Sequence, residues 1–321
     1  MTEVLSTKDK VKRLMDEQSV SQNQIARESG ISASAISGYL KGSYAGDTSS
    51  VEDKLEKWLL SSQKRAQQKR SFLPIPEWIS LPTSERVLEV LQYAHHAGDI
   101  GVIYGASGVG KTYTLKHYEE KNPNVWVCVM TPAHAGVSPC LEEIAFALDM
   151  KGVSGRSARL LREIIRRVRD TNGLLVIDEA QHLLPSAIEV IRSIHDATGI
   201  GVVLCGNESV YARLTGGART ATFAQLFSRI GKRLKIIKPV KGDIFGIAGA
   251  FGVENGKAQQ AVLEIGRKPG GLRGVVKTLR LAVVISAGAG REIDESIIKA
   301  AWCDLSGDAG DNAGRHNGGG V

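Results

Sequence analysis

Gly105-Ala-Ser-Gly-Val-Gly110-Lys111-Thr112 matches the pattern GxxxxGK[ST]. An apolar run, Gly101–Tyr104, precedes it and a helical stretch follows. The order is strand, glycine-rich turn, helix start, and each residue type has a physical reason. Glycines let successive backbone N–H groups curl around a phosphate, and the helix behind them turns its positive end to the same place. Gly105, Ser107, Gly108, Val109 and Gly110 are the expected cradle. Lys111 is placed for the β- and γ-phosphates of ATP, and Thr112 for Mg²⁺. The alternative is a fortuitous glycine-rich turn.

Downstream, Leu174-Leu-Val-Ile-Asp178-Glu179 is an apolar strand ending in two acids. Such a strand delivers its carboxylates to the sheet edge where open α/β folds bind ligands. Asp178 is expected to bind Mg²⁺ through water, and Glu179 to polarise the attacking water. Val202-Val-Leu-Cys205 ends in Gly206-Asn207, where an amide can orient that water; the alternative is a turn-forming Gly-Asn. Arg229, in Leu226-Phe-Ser-Arg-Ile230, precedes the last apolar run and suits an arginine finger reaching a neighbouring subunit's nucleotide, with Arg219 and Arg233 as competitors. Arg273, in Gly270-Gly-Leu-Arg273, opens a later helix from which it senses nucleotide in cis. For each arginine the alternative is a solvated surface charge.

The apolar runs Gly101–Tyr104, Val125–Met130, Leu174–Ile177, Gly201–Cys205 and Leu234–Ile237 alternate with helical stretches. Short apolar runs bounded by turns are what a parallel sheet covered on both faces requires. The predicted fold is therefore α/β, a P-loop domain over residues 83–240 with a parallel sheet. A helical C-terminal segment (241–305) follows it, then a Gly-, Asp- and Asn-rich tail (306–321) expected to be disordered.

Upstream, residues 1–62 read as a small all-α domain. Val11, Leu14 and Met15 form the apolar stripe of a first helix. Ser21 and Gln24 have capping-box spacing for a second, and Gly30 supplies the turn that ends it. A third runs from Ser32 to Leu40. Ser49-Ser-Val-Glu52 repeats the capping-box spacing before Val51, Leu55, Trp58 and Leu59. Gln22–Lys41 has the pattern of a helix-turn-helix, with Ile31, Ile36 and Leu40 inward and Ser32, Ser34, Ser37 and Lys41 on the presumed recognition face. That face is poor in Arg and Asn, which favours phosphate contact over base readout. The alternative is a helical bundle serving protein contacts. Residues 63–82 are polar, basic and then proline-bearing, and read as a linker.

A second basic feature is the stripe Arg159, Arg162, Arg166 and Arg169, at helical spacing opposite Leu160, Leu161, Ile164, Ile165 and Val168. Lys151 and Arg156 stand in the glycine-containing stretch before it. Loop cations of this kind suit sequence-independent DNA binding; the alternative is a solvated helix face.

The net charge of +7 and the pI of about 9.2 are compatible with a polyanionic partner. The cysteines, Cys128, Cys140, Cys205 and Cys303, lack the CxxC spacing of a zinc site, and Cys128 and Cys205 read as buried core thiols. No stretch has the length of a membrane span, and a cytoplasmic location is expected.

With these motifs placed, the chain resembles the phage Mu B family, AAA+ ATPases of DNA transposition. The likeness rests on Gln24-Ile-Ala-Arg-Glu-Ser-Gly30, Asn124-Val-Trp-Val, Thr131-Pro132 and Ile177-Asp-Glu-Ala180. Above all it rests on Val210-Tyr211 through Thr215-Gly-Gly-Ala-Arg-Thr220 to Leu226-Phe-Ser-Arg-Ile230. The resemblance implies a AAA+ domain with a helical lid. It implies ATP-dependent assembly as helical filaments on double-stranded DNA, and delivery of that DNA to a DDE transposase. Stimulated strand transfer and target immunity belong to the same picture. Lys111, Asp178, Glu179 and Arg229 fall on the family's nucleotide motifs, and Arg156 on its basic DNA-facing loop. There the family's prototype has adjacent cations, and this chain has Gly155-Arg156-Ser157. Other readings are a helicase-loader or replication-initiator ATPase, and an ATP-regulated helix-turn-helix repressor.

Overall fold

The computed structural model describes residues 6–18, 20–71, 78–150, 156–210 and 229–307. The chain divides into two compact units, Met1–Pro74 and Ile75–Val321.

The first unit contains α1 (Thr7–Gln18), α2 (Gln22–Ser29), α3 (Ala33–Lys41) and α4 (Thr48–Ser71). Ser21 caps α2, its side chain accepting from the Gln24 N–H at 3.2 Å, and Gly30 ends the helix at φ 68°. Ser32 caps α3 in the same way from the Ala35 N–H. These caps satisfy backbone donors that a helix start leaves unpaired. Val11, Ile25, Ile31, Ile36, Leu40, Leu55 and Trp58 fill the core. Trp58 Nε1 donates to Glu28 at 2.9 Å, and Tyr39 Oη donates to Glu52 at 2.5 Å.

Those contacts correct two expectations. The cap of α4 is Asp47 and not Ser49: Asp47 Oδ1 accepts from the Ser49 and Ser50 N–H groups, while Glu52 is taken by Tyr39. Gln24 donates to Glu28 one turn on, so only the Ser21 half of the first capping box forms. Nor does the segment expected to be a linker begin as one, since α4 continues through Ser71. Lys, Arg, Gln and Ala are good helix formers, and a polar stretch of them extends a helix until proline stops it.

The second unit opens with α5 (Pro82–Ala97) and continues through β1 (Ile100–Gly105), α6 (Lys111–Lys121), β2 (Val125–Val129), α7 (Val137–Ala147) and α8 (Ser157–Val168). It goes on through β3 (Leu174–Asp178), α9 (Pro185–Thr198), β4 (Gly201–Gly206) and β5 (Ile230–Ile236). The strands form a five-stranded sheet in the order β2-β3-β4-β1-β5, parallel at each pairing. Alternate residues serve opposite faces. Val102, Cys128, Leu175, Ile177 and Leu204 pack with Leu141, Leu160, Ile164 and Ile191. Ile103, Val176, Val203 and Cys205 pack with Val87, Leu91 and Leu115. Helices thus cover both faces, as the continuous apolar runs require. β5 differs, because its burial alternates and it begins at Ile230, ahead of the apolar run at Leu234. An edge strand needs only one apolar face.

Four helices complete the described part: α10 (Lys241–Ala250), α11 (Gly256–Arg267), α12 (Gly271–Ala289) and α13 (Glu295–Ser306). Asn255 caps α11 and Asp294 caps α13. The fully buried Asp243 joins this helical part to the sheet domain. Its carboxylate accepts from Thr83 N at 2.8 Å, Thr83 Oγ1 at 2.6 Å and Val240 N at 2.8 Å. Beyond Gly307 the predicted tail lies outside the described residues.

Candidate functional site

The turn after β1 is held on two sides. Ala106 N donates to Ile236 O of β5 at 2.8 Å. Gly105 has φ 135°, and a Cβ there would lie 1.9 Å from that same carbonyl. Gly108, at φ 72°, has its carbonyl 3.3 Å from Arg273 N, and a Cβ there would sit 2.2 Å from Gly270 O. Only glycine fits either place, and the loop is thereby clamped between the edge of the sheet and the start of α12.

Val109 is buried among the core residues, so it offers the loop its backbone alone, whereas Ser107 is exposed. Gly110 stands at the N-cap of α6 with φ 91°. Lys111 Nζ donates to the carbonyls of Gly105 and Ala106, at 3.1 and 2.7 Å, and so lies inside the turn.

Thr112 Oγ1 donates to Asp178 Oδ2 at 2.6 Å. Asp178 ends β3, is 1 % exposed, and its other oxygen accepts from Glu179 N at 2.9 Å. The Cys205 thiol, wholly buried against this carboxylate, is pushed well above its usual range, first by burial and then by the Asp178 charge. Glu179 adopts the left-handed conformation at φ 54°. Its carboxylate accepts from Gln181 Nε2, and Gln181 Oε1 accepts from Asn207 N at 3.2 Å.

Asn207 follows β4, and its side-chain oxygen accepts from Ser209 N and Ser209 Oγ, at 2.9 and 2.6 Å. That oxygen is committed to capping the turn at residues 208–210. Arg229 precedes β5 and pairs through Nε with Asp196 Oδ1 at 2.8 Å. Asp196, on α9, also holds Arg192. Arg273 is exposed in the first turn of α12, beside the clamped loop. The structure thus gathers Gly105–Thr112, Asp178 and the start of α12 around one loop, and links Glu179 to Asn207 through Gln181. Arg229 is bound into α9.

Of the other candidates, Ser32 is exposed but serves as the α3 cap, Ser34 and Lys41 are exposed, and Ser37 is half-buried. Arg156 is exposed at the N-cap of α8, and Arg159, Arg162, Arg166 and Arg169 are exposed along it. Arg166 pairs with Glu163 at 2.6 Å. Lys151 and Arg219 lie outside the described residues. Among the described residues no group of three or more His, Cys, Asp or Glu side chains could hold a metal ion, and no helix is long and apolar enough to cross a membrane. Gln181, Asp196 and Asp243 carry roles that the sequence motifs do not mark. Gln181 has a local signal, standing two residues after Glu179; the other two reach Arg229 and Thr83, which no sequence pattern relates to them.

Comparison with known proteins follows the same lines. A family described as "Mu B transposition protein, C terminal" matches residues 228–305, and one described as "AAA domain" matches residues 94–214. The ATP-dependent target DNA activator B of Escherichia phage Mu is 37% identical over 296 residues, which cover 92% of this chain and 93% of that protein. The Mu-like prophage FluMu DNA transposition protein B of Haemophilus influenzae is 37% identical over 275 residues, 84% of this chain and 94% of that one. Among solved structures, the Aeropyrum pernix ORC1 protein in complex with DNA aligns with a TM-score of 0.52 at 18% identity, covering 74% of this chain and 69% of that one. At that identity the likeness shows the α/β AAA+ fold alone.

Proposed function

The chain belongs to the Mu B transposition protein family, and from that premise we propose that it is an ATPase that binds double-stranded DNA when loaded with ATP. It assembles on the DNA as a helical filament with little sequence preference, in the cytoplasm of the host cell. It presents that DNA to a DDE transposase, stimulates strand transfer and takes part in target immunity. Turnover is slow, and DNA and transposase accelerate it.

The residues divide the work. The Gly105–Gly110 loop cradles the phosphates with the backbone N–H groups of Ser107–Gly110, and Lys111 turns from the loop carbonyls to the β- and γ-phosphates. Thr112 would hold Mg²⁺ directly and Asp178 would hold it through water. A hydroxyl and one carboxylate beside a phosphate cradle suit an ion that keeps waters and substrate oxygens as its other ligands. Bound there, Mg²⁺ would neutralise charge on the β- and γ-phosphate oxygens. Glu179 takes up the proton of the attacking water as its oxygen bonds to the γ-phosphorus and the bond to the β-phosphate oxygen breaks. Asn207, its oxygen engaged with Ser209, contributes its Nδ2 donor to that water. Arg273 reads the nucleotide in cis through α12. Arg229 exchanges Asp196 for the neighbouring subunit's nucleotide, so that assembly depends on ATP and hydrolysis loosens it. Arg156, Arg159 and Lys151, with Ser32, Ser34, Ser37 and Lys41 in the first unit, contact DNA phosphates.

The observation that carries this reading is the Thr112–Asp178 hydrogen bond beside a loop clamped by both β5 and α12. Electron microscopy of the protein with plasmid DNA tests it. Filaments are expected with ATP and not without it, and Lys111→Ala should form none. Filaments of Lys111→Ala on DNA with ATP would overturn it.

A further inference from the structure

The acidic pair on β3 is followed by a short 3₁₀ turn, Ala180–His182. Gln181 within it faces two elements at once. Its Nε2 donates to Glu179 Oε2 and its Oε1 accepts from Asn207 N at 3.2 Å. The orientation of the amide is fixed by chemistry, because a carboxylate offers no hydrogen and a backbone N–H offers no acceptor. Gly206 makes the approach possible. A Cβ built there would stand 2.3 Å from Gln181 Oε1 and 2.6 Å from Val210 Cγ2.

Glu179 sits in a left-handed backbone conformation that a non-glycine residue adopts at some cost, and such strain persists only where surroundings hold it. Its N–H is bound to Asp178 and its carboxylate to Gln181. The side chain is therefore aimed from both ends, toward the terminus of β4.

We propose that Gln181 is a positioning residue for hydrolysis, tying the Glu179 carboxylate to the Asn207 backbone at the end of β4. It acts through Glu179 and does not touch the nucleotide. The inference rests on the reading of Glu179 as the group that activates water.

Steady-state ATP hydrolysis by the full chain on DNA tests this with three variants. Glu179→Gln should bind ATP and fail to hydrolyse it; if it hydrolyses at the wild-type rate, the underlying reading of Glu179 falls, whatever Gln181 does. With Glu179→Gln inactive, Gln181→Glu keeps the shape of the side chain and loses the donor. It should lower kcat about tenfold or more with KM for ATP within about twofold. Gly206→Ala leaves Gln181 in the chain but fills its place, and should reproduce the loss of kcat. Unchanged kcat in both variants would overturn the proposal. So would a loss of ATP binding that matches the loss of kcat, since that is what a structural role alone produces.

Discussion

Thr112 Oγ1 and Asp178 Oδ2 are 2.6 Å apart, so the first turn of α6 and the end of β3 meet across the sheet. Both side chains stand at the carboxyl edge of the strands, where β1 and β3 lie on either side of β4. Asp178 is almost wholly buried yet supplied with donors from Thr112 and the Glu179 backbone, so its geometry is set without ligand. Thr112→Val keeps the side-chain shape and removes the donor. It and Asp178→Asn should raise the Mg²⁺ concentration needed for half-maximal hydrolysis and lower kcat about 10²-fold. Chelation of Mg²⁺ should stop wild-type turnover. Phosphate release over a Mg²⁺ titration measures this, and wild-type Mg²⁺ dependence in both variants would dismiss the assignment.

Arg229 leads to a different prediction, because in the isolated chain its partner is Asp196. Both side chains are part-exposed, and such a pair contributes about 0.2–1 kcal/mol to folding. Arg229→Ala should therefore leave the melting temperature nearly unchanged while lowering assembly-dependent hydrolysis about 10³-fold, the effect of losing an arginine finger. If it acts in trans, mixing Arg229→Ala with Lys111→Ala should restore part of the hydrolysis, each protomer supplying the half the other lacks. No recovery over a range of mixing ratios would place Arg229 outside the shared site.

The parts of the fold and of the site that are legible in the sequence are those whose chemistry is local. Gly105–Thr112 is a contiguous pattern, Asp178 and Glu179 end a run of apolar residues, and Ser21, Gly30 and Ser32 sit at fixed offsets from the helices they bound. What the sequence conceals depends on contacts across the fold. Asp47 displaces Ser49 as a cap, and Tyr39 claims Glu52 from another helix. Asp243 and Thr83 are 160 positions apart, and nothing in either local pattern announces the other. The start of β5 at Ile230 is hidden from a search for apolar runs, because an edge strand carries charge on its open side.

The pH dependence of stability should carry a contribution from His95 on α5. Its pKa is lowered from the ordinary 6.5, first by burial and then by the neighbouring His96, against an opposing hydrogen bond to the Asn172 backbone. Its Nδ1 lies 3.0 Å from Tyr118 Oη. The unfolded chain therefore binds this proton more readily than the folded one, and stability rises with pH between the two pKa values. The contribution is full above about 6.5 and is lost as pH falls through the depressed folded value. Melting curves from neutral pH down to about 5 should show a shallower decline for His95→Gln than for the wild type. Identical slopes would remove His95 from the account.

DNA contact separates the serines of α3 from its lysine. Ser32 accepts the Ala35 N–H and caps the helix, so Ser32→Ala should cost about 1 kcal/mol of stability in the first unit, whatever happens to DNA binding. Lys41 is exposed at the other end of the helix, as Arg156 and Arg159 are in the first turn of α8. A cation that meets a phosphate releases a counterion, which sets the salt dependence of binding. Lys41→Ala, Arg156→Ala and Arg159→Ala should each weaken ATP-dependent binding equally on DNA of any sequence. Each should also reduce the slope of log K against log salt by about 1 for every phosphate left without its cation. Fluorescence anisotropy with two unrelated duplexes over a salt series gives both quantities. A variant whose slope matches the wild type shows that the residue meets no phosphate. A loss confined to one duplex would instead mark base readout, against the phosphate contact inferred from a face built mainly of serine.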